Sequence, residues 1–240
     1  MTESIGQNPR PTEVSNTNLN YANPYDKLIN QTLGKMPPPT DPSKAPISRL
    51  SYRDIQPLGN SPFKGYRQKE MALIWALLDT ISACEGAEYN SLAGTNNTFP
   101  SFEKHPNVKV LVHIKGNASE RDVYTTAAGR YQFLYNTWNE TIKTYPDFFE
   151  RNLNGDISFS PNNQDRAALL VFRELVSPSM LEAASKSGDF TTICNKLNGI
   201  WAGLPFSKWD QHPKSLAFFS DVFKKRLNAY QTSTEQIASS

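Results

Sequence analysis

Met71-Ala-Leu-Ile74-Trp-Ala-Leu-Leu78-Asp-Thr-Ile81-Ser-Ala-Cys-Glu85-Gly86 is the stretch that decides the fold and points to the chemistry. Met71, Ile74, Leu78 and Ile81 recur at three- and four-residue spacing, the period at which side chains stack along one face of an α-helix. The spacing predicts an amphipathic helix over residues 66–85, stopped by Gly86, which enters the left-handed conformation at low cost. Glu85 falls next on the same apolar stripe, at the C-terminal end of that helix. Burial and the negative end of the helix dipole both disfavour a charged carboxylate there, and both raise its pKa. A carboxyl group that stays protonated near neutrality is what a general acid requires. The competing reading is a glutamate that caps the helix surface beside a basic partner.

Outward from this helix, residues 86–107 are rich in Asn, Thr, Gly and Pro and read as a loop. Val108, Val110, Val112 and Ile114 alternate with Lys109, Leu111, His113 and Lys115, a strand signature. A turn is expected at Gly116-Asn117, with a partner strand around Arg121–Thr125. Tyr131, Leu134, Trp138, Ile142 and Tyr145 mark a second helix. Ser160-Pro161 supplies an N-cap and a first-turn proline for a helix reaching Val176. Its apolar positions run nearly all the way round, which predicts the central buried helix. A shorter helix over Pro178–Lys186, another capped by Asp189, and a last long one carrying Leu216, Phe219, Phe223, Leu227 and Tyr230 complete the set. The expected fold class is α+β, with about six helices and a β-hairpin in one domain over residues 66–232 and a tail at 233–240.

Composition changes near residue 65. Ten of the 17 prolines lie before that point and none of the four tryptophans does, so residues 1–65 bury too little apolar area to offset their ordering entropy. They read either as a flexible linker or as a peptide that lies along a partner through Tyr21, Tyr25, Leu28, Ile29, Leu33, Tyr52 and Phe63. Over the whole chain, 38% apolar residues and no apolar run near 18 residues exclude a coiled coil, collagen and a membrane-inserted protein. With 25 basic against 23 acidic groups there is no electrostatic footprint for nucleic acid. Cys84 and Cys194 make neither a disulfide framework nor a zinc cage. His105, His113 and His212 are isolated, and the G-x-S-x-G, H-E-x-x-H, P-loop and C-x-x-C patterns are missing, so no metal or cofactor is expected. The first residues carry neither a basic nor an apolar signal segment, and no export signal is expected.

Two further blocks carry candidate site residues. Thr125-Thr-Ala-Ala-Gly129-Arg-Tyr-Gln-Phe-Leu134 places small residues at the entrance to the second helix, followed at once by Arg130, Tyr131 and Gln132. A first turn of that kind lets a ligand approach the backbone closely beside polar side chains. Asn198-Gly-Ile-Trp201-Ala-Gly203-Leu-Pro205 ends a helix with an aromatic and two glycines. Trp201 reads either as a core residue or as a sugar-stacking platform.

Together, Ser82-Ala-Cys-Glu85-Gly86, Phe99 with His105-Pro106, the Ala-Gly-Arg-Tyr-Gln block and the Asn198–Pro205 block occur in the order seen in the lambda-type bacteriophage endolysins. The chain resembles that family over roughly residues 67 to 230. The resemblance implies a lysozyme-like α+β fold and a lytic transglycosylase acting on bacterial peptidoglycan, without cofactor. It implies that Glu85 is the catalytic acid, and that Thr126, Arg130, Tyr131 and Gln132 lie beside the cleft as substrate-binding residues, with Trp201 a further candidate. Two departures stand out: the segment between Glu88 and Phe99 is short, and residues 1–65 have no counterpart in a compact endolysin. That extension suits a tether to phage tail or baseplate proteins.

Hydrolytic glycosidases use a second carboxylate as nucleophile or base. Phage lysozymes of the two-carboxylate kind carry an aspartate about nine residues after the glutamate, and that position here is Gly94. Between Glu85 and Tyr131 the carboxylates are Glu88, Glu103, Glu120 and Asp122, and Asp122 stays open as a partner. The expected activity is cleavage of the MurNAc–GlcNAc β-1,4 bond with formation of a 1,6-anhydro ring, a hydrolytic muramidase being the alternative. The expected setting is a virion-associated lysozyme. A free, holin-dependent endolysin stored in the host cytoplasm, and a structural virion protein with a vestigial domain, are the alternatives. Lys224-Lys225-Arg226 reads most simply as a solvated, dipole-compatible cluster near the end of the last helix, the alternative being a patch that helps the protein to approach the anionic cell wall.

Overall fold

The computed structural model describes residues 67–94, 97–115, 120–209 and 213–238. The expectations for residues 1–65, for the Gly116-Asn117 turn and for His212 lie outside the described residues. In chain order the elements are α1 (Gln68–Glu85), β1 (Val110–Lys115), β2 (Glu120–Thr125), α2 (Tyr135–Thr144), a 3-10 turn at Pro146–Phe148, α3 (Pro161–Arg173), α4 (Pro178–Ser187), α5 (Thr191–Leu197) and α6 (Leu216–Ala238). Among the described residues this is the α+β architecture expected: six α-helices and one hairpin.

α1 is the axis of the molecule. Met71, Ile74, Leu77, Leu78 and Ile81 are buried, and the helix packs against α6, α4 and α3. Its start is locked by a capping box. Glu70 accepts the Arg67 N–H at 2.6 Å, satisfying a donor that the first turn leaves without an intrahelical partner. Its end is the left-handed Gly86, φ +64°, whose N–H bonds the Ser82 carbonyl at 2.9 Å. The Glu85 end of α1 therefore has a defined stop rather than a frayed turn.

β1 and β2 pair antiparallel with Val112 opposite Val123 and His113 opposite Asp122. The Val112 side chain backs onto Gly94 (φ +61°), where an added Cβ would come within 2.6 Å of Val112 Cγ1. The hairpin is thereby seated against the loop that follows α1. Beyond it, an aromatic core gathers Phe99, Phe133, Trp138, Phe149 and Phe159; the Trp138 and Phe159 rings meet edge-on at 4.7 Å. His105 belongs to this core. Its Nδ1 accepts the Asn107 N–H at 3.1 Å, so Nε2 donates to the Phe133 carbonyl at 2.8 Å.

Four expectations are corrected. α2 starts at Tyr135, not at Tyr131, because Gly129 (φ +76°) and Gln132 (φ +49°) are left-handed and no α-helix accommodates them. Residues 128–133 form instead a tight turn closed by reciprocal hydrogen bonds between Ala128 and Phe133. α3 is central and capped by Ser160 as expected, yet its first turns bury Asn163, Gln164, Asp165 and Arg166 rather than apolar side chains alone. Arg226 is not solvated: it is buried, with Nε 3.7 Å from Asp79 Oδ2, while Lys224 and Lys225 are exposed. α6 runs on to Ala238, through most of the stretch set aside as a tail.

Candidate active site

Glu85 closes α1 at the floor of a cleft of about 350 Å³, lined by Glu85, Gly86, Ala87, Ser91, Leu92, Gly94 and Gln132. It is the one carboxylate among the described residues that line the cleft. One carboxylate oxygen, Oε1, accepts the Gly203 N–H at 2.9 Å. That contact depends on glycine: a Cβ at 203 would collide with the Cys84 carbonyl oxygen and come within 3.1 Å of the Glu85 nitrogen. The loop after α5 thus lies directly against the last turn of α1.

Burial pushes the Glu85 carboxyl up from 4.5 to about 7, against the opposing pull of the Gly203 N–H and of the Lys214 cation. Desolvation penalises the charged form, and a single neutral N–H offsets only part of that cost. The group is therefore poised between protonated and ionised near neutral pH, the condition for giving a proton and then taking one back. Glu88 is also held above the ordinary carboxylate range by burial, with Arg130 opposing. Asp122 is exposed on the hairpin, where His113 Nδ1 meets its Oδ1 at 2.8 Å, and it is not among the residues lining the cleft.

The other sequence candidates separate into a cleft residue and its supports. Gln132 lines the cleft, its left-handed backbone braced by its own Nε2 bonding the Gly129 carbonyl at 2.9 Å. Thr126 stands at the start of α2, where Oγ1 accepts the Tyr135 N–H at 3.0 Å. Arg130 and Tyr131 are fully buried, and Trp201 is nearly so, with Nε1 donating to the Tyr131 carbonyl at 3.1 Å. A residue without exposed surface offers no face to a sugar, so Arg130 and Tyr131 are corrected from ligand contacts to buried supports, and of the two readings of Trp201 the core one holds.

What they build there was not read from the sequence. Arg130 donates to Asp79 at 2.6 Å, to Ser82 Oγ at 3.0 Å and to the Tyr89 hydroxyl at 2.9 Å. Asp165 accepts from Tyr131 at 2.6 Å and from Tyr89 at 2.9 Å, and Tyr230 of α6 donates to Asp79 at 2.8 Å. The network joins the last two turns of α1 to α3, α6 and the turn before α2. A buried charge requires partners of this kind, because an unpaired one costs several kcal/mol. The available signal was an aspartate, Asp79, set inside the apolar run of α1 between Leu78 and Ile81.

A model of the endolysin family matches residues 75–229. The chain belongs to the endolysin family. Endolysins are the enzymes with which bacteriophages degrade peptidoglycan, and the glycosidic bond is the target in the lysozyme type. Among solved structures, bacteriophage lambda lysozyme in complex with a chitohexasaccharide is 22% identical, with a TM-score of 0.49 over 68% of this chain and 96% of that one. A second lysozyme structure from bacteriophage lambda is 20% identical, with a TM-score of 0.45 over 70% of this chain and 96% of that one. Comparison with curated protein sequences finds no match. In this endolysin the matched region contains Glu85, the cleft and all of the buried network except Tyr230.

Proposed function

We propose that this endolysin is a lytic transglycosylase that cleaves the MurNAc–GlcNAc β-1,4 bond of peptidoglycan with Glu85 as its acid and base. One observation carries the reading: Glu85 is the sole carboxylate lining the cleft among the described residues, and the wall position where a two-carboxylate phage lysozyme would hold an aspartate is Gly94. Protonated Glu85 donates to the glycosidic oxygen as the C1–O bond of MurNAc breaks. The N-acetyl group of the same sugar steadies the cationic centre. The 6-hydroxyl oxygen then bonds to C1 while ionised Glu85 takes its proton, which closes the 1,6-anhydro ring and restores the acid. No water is consumed. Gln132, which shares the cleft lining with Glu85, meets the saccharide, and Thr126, Arg130, Tyr131 and Trp201 hold its turn in place.

Digestion of purified sacculi followed by mass spectrometry tests this. The expected muropeptides end in 1,6-anhydro-MurNAc, lighter by one water than reducing ends and inert to borohydride. Reducible ends would overturn the reading in favour of a muramidase, with Glu88 or Asp122 to be examined as the base. A protein that releases nothing would be the vestigial structural form.

The proline-rich composition of residues 1–65 supports a second part of the proposal, that this segment tethers the enzyme to the phage tail or baseplate. Mass spectrometry of purified virions is then expected to detect the chain. Its absence would leave the free endolysin.

A further inference from the structure

Two neighbouring segments that line the cleft meet on one side chain. Gln164, fully buried in the first turns of α3, donates through Nε2 to the Tyr89 carbonyl at 2.9 Å and to the Phe159 carbonyl at 2.9 Å. Its Oε1 accepts the Arg130 N–H at 2.8 Å. Tyr89 lies four residues past Glu85, in the segment that includes the cleft residues Ala87 and Ser91; Arg130 lies two residues before Gln132, in the neighbouring turn, whose Gly129 N–H also bonds the Ser91 carbonyl directly at 2.8 Å. The approach is close enough that a Cβ on Gly129 would collide with Gln164 Oε1.

We propose that Gln164 is a positioning residue, a clamp that backs the direct pairing of these two segments from α3 and sets where Glu85 stands relative to Gln132. The inference rests on the reading of Glu85 as the acid. Three features favour a clamp over a buried amide that merely satisfies the backbone. Its contacts join two segments about forty residues apart in sequence, through main-chain atoms that cannot swing away by changing rotamer. The next residue, Asp165, grips the same two segments again through the Tyr89 and Tyr131 hydroxyls. Gln132 is left-handed, and the turn that imposes this conformation is the one that Gln164 holds at Gly129 and Arg130. The clamp is neutral, so it fixes the walls without adding a charge near the acid.

The test is steady-state digestion of sacculi by the full chain carrying Gln164→Met, which fills similar volume and makes none of the three hydrogen bonds. On folded variant, kcat is expected to fall roughly ten- to hundredfold, since misplacement of reacting groups by about 1 Å has that effect. The alkaline limb of the pH profile is expected to move down as water reaches Glu85. A folded variant with kcat and pH limb within about twofold of wild type would overturn the proposal, because a purely structural amide would change stability alone. Should Gln164→Met not fold, the wild-type protein decides through amide exchange. An Arg130 N–H protected well beyond the neighbouring loop amides supports the clamp, and one exchanging as fast as they do overturns it. Glu85→Gln is assayed alongside. If that variant stays active, the acid assignment fails; if it is dead while Gln164→Met is normal, only the clamp fails.

Discussion

Replacing Glu85 by glutamine should make the protein more stable at alkaline pH while abolishing its activity. The folded state raises the carboxyl from 4.5 to about 7, chiefly by burial. A raised pKa means that folded protein holds this proton more tightly than unfolded chain does. Glu85 therefore costs nothing below about pH 4.5, where both states are protonated, and becomes a burden as pH rises through about 7. The rise from 4.5 to about 7 corresponds to a cost of up to about 3 kcal/mol above pH 7. Glutamine has the same shape, keeps an oxygen for the Gly203 N–H and never ionises. Urea unfolding of both proteins from pH 4 to 9 should show the stability difference, variant minus wild type, growing by about that amount between pH 4.5 and 8 and then levelling. In the same window the wild-type kcat/KM should decline as the acid form is lost, from about nine-tenths protonated at pH 6 to about one-tenth at pH 8. A difference that stays flat with pH would refute the burial argument, whatever the activity of the variant.

Gly203→Ala should displace the loop after α5, because its Cβ has no room beside the Cys84 carbonyl and the Glu85 nitrogen. The expected result is a loss of about 1–3 kcal/mol in urea unfolding together with at least a tenfold fall in kcat, through the missing N–H contact to Glu85; wild-type values for both would count against it. Arg130→Met should remove the guanidinium that pairs with both Asp79 and Asp165 in a buried site. A loss of about 3–5 kcal/mol is expected by thermal or urea unfolding, and a change under about 1 kcal/mol would show that the network carries little.

Much of this protein was determined by the order of its residues. Periodicity along Met71–Ile81, the Gly86 stop, the Ser160-Pro161 start and the alternation along Val108–Lys115 are local signals, and each reports a backbone preference that operates over a few residues. The helices and the hairpin follow from them, as does the position of Glu85 at the end of an apolar stripe. What lay beyond reach were effects set by residues distant in the chain. Arg130 and Tyr131 have polar or amphipathic side chains that the sequence placed beside a ligand, and only the tertiary contacts with Asp79 and Asp165 bury them. The left-handed Gln132 ends the reach of the helical pattern at Tyr135, through a turn held by Gln164 from thirty-two residues away. Asp79, Asp165 and Tyr230 become one network only when three helices meet. The acidity of Glu85 was legible in direction from its place on the helix. Its magnitude belongs to the tertiary structure, because desolvation depends on what packs over the carboxyl, and part of it is offset by the Gly203 N–H, one hundred and eighteen residues further along the chain.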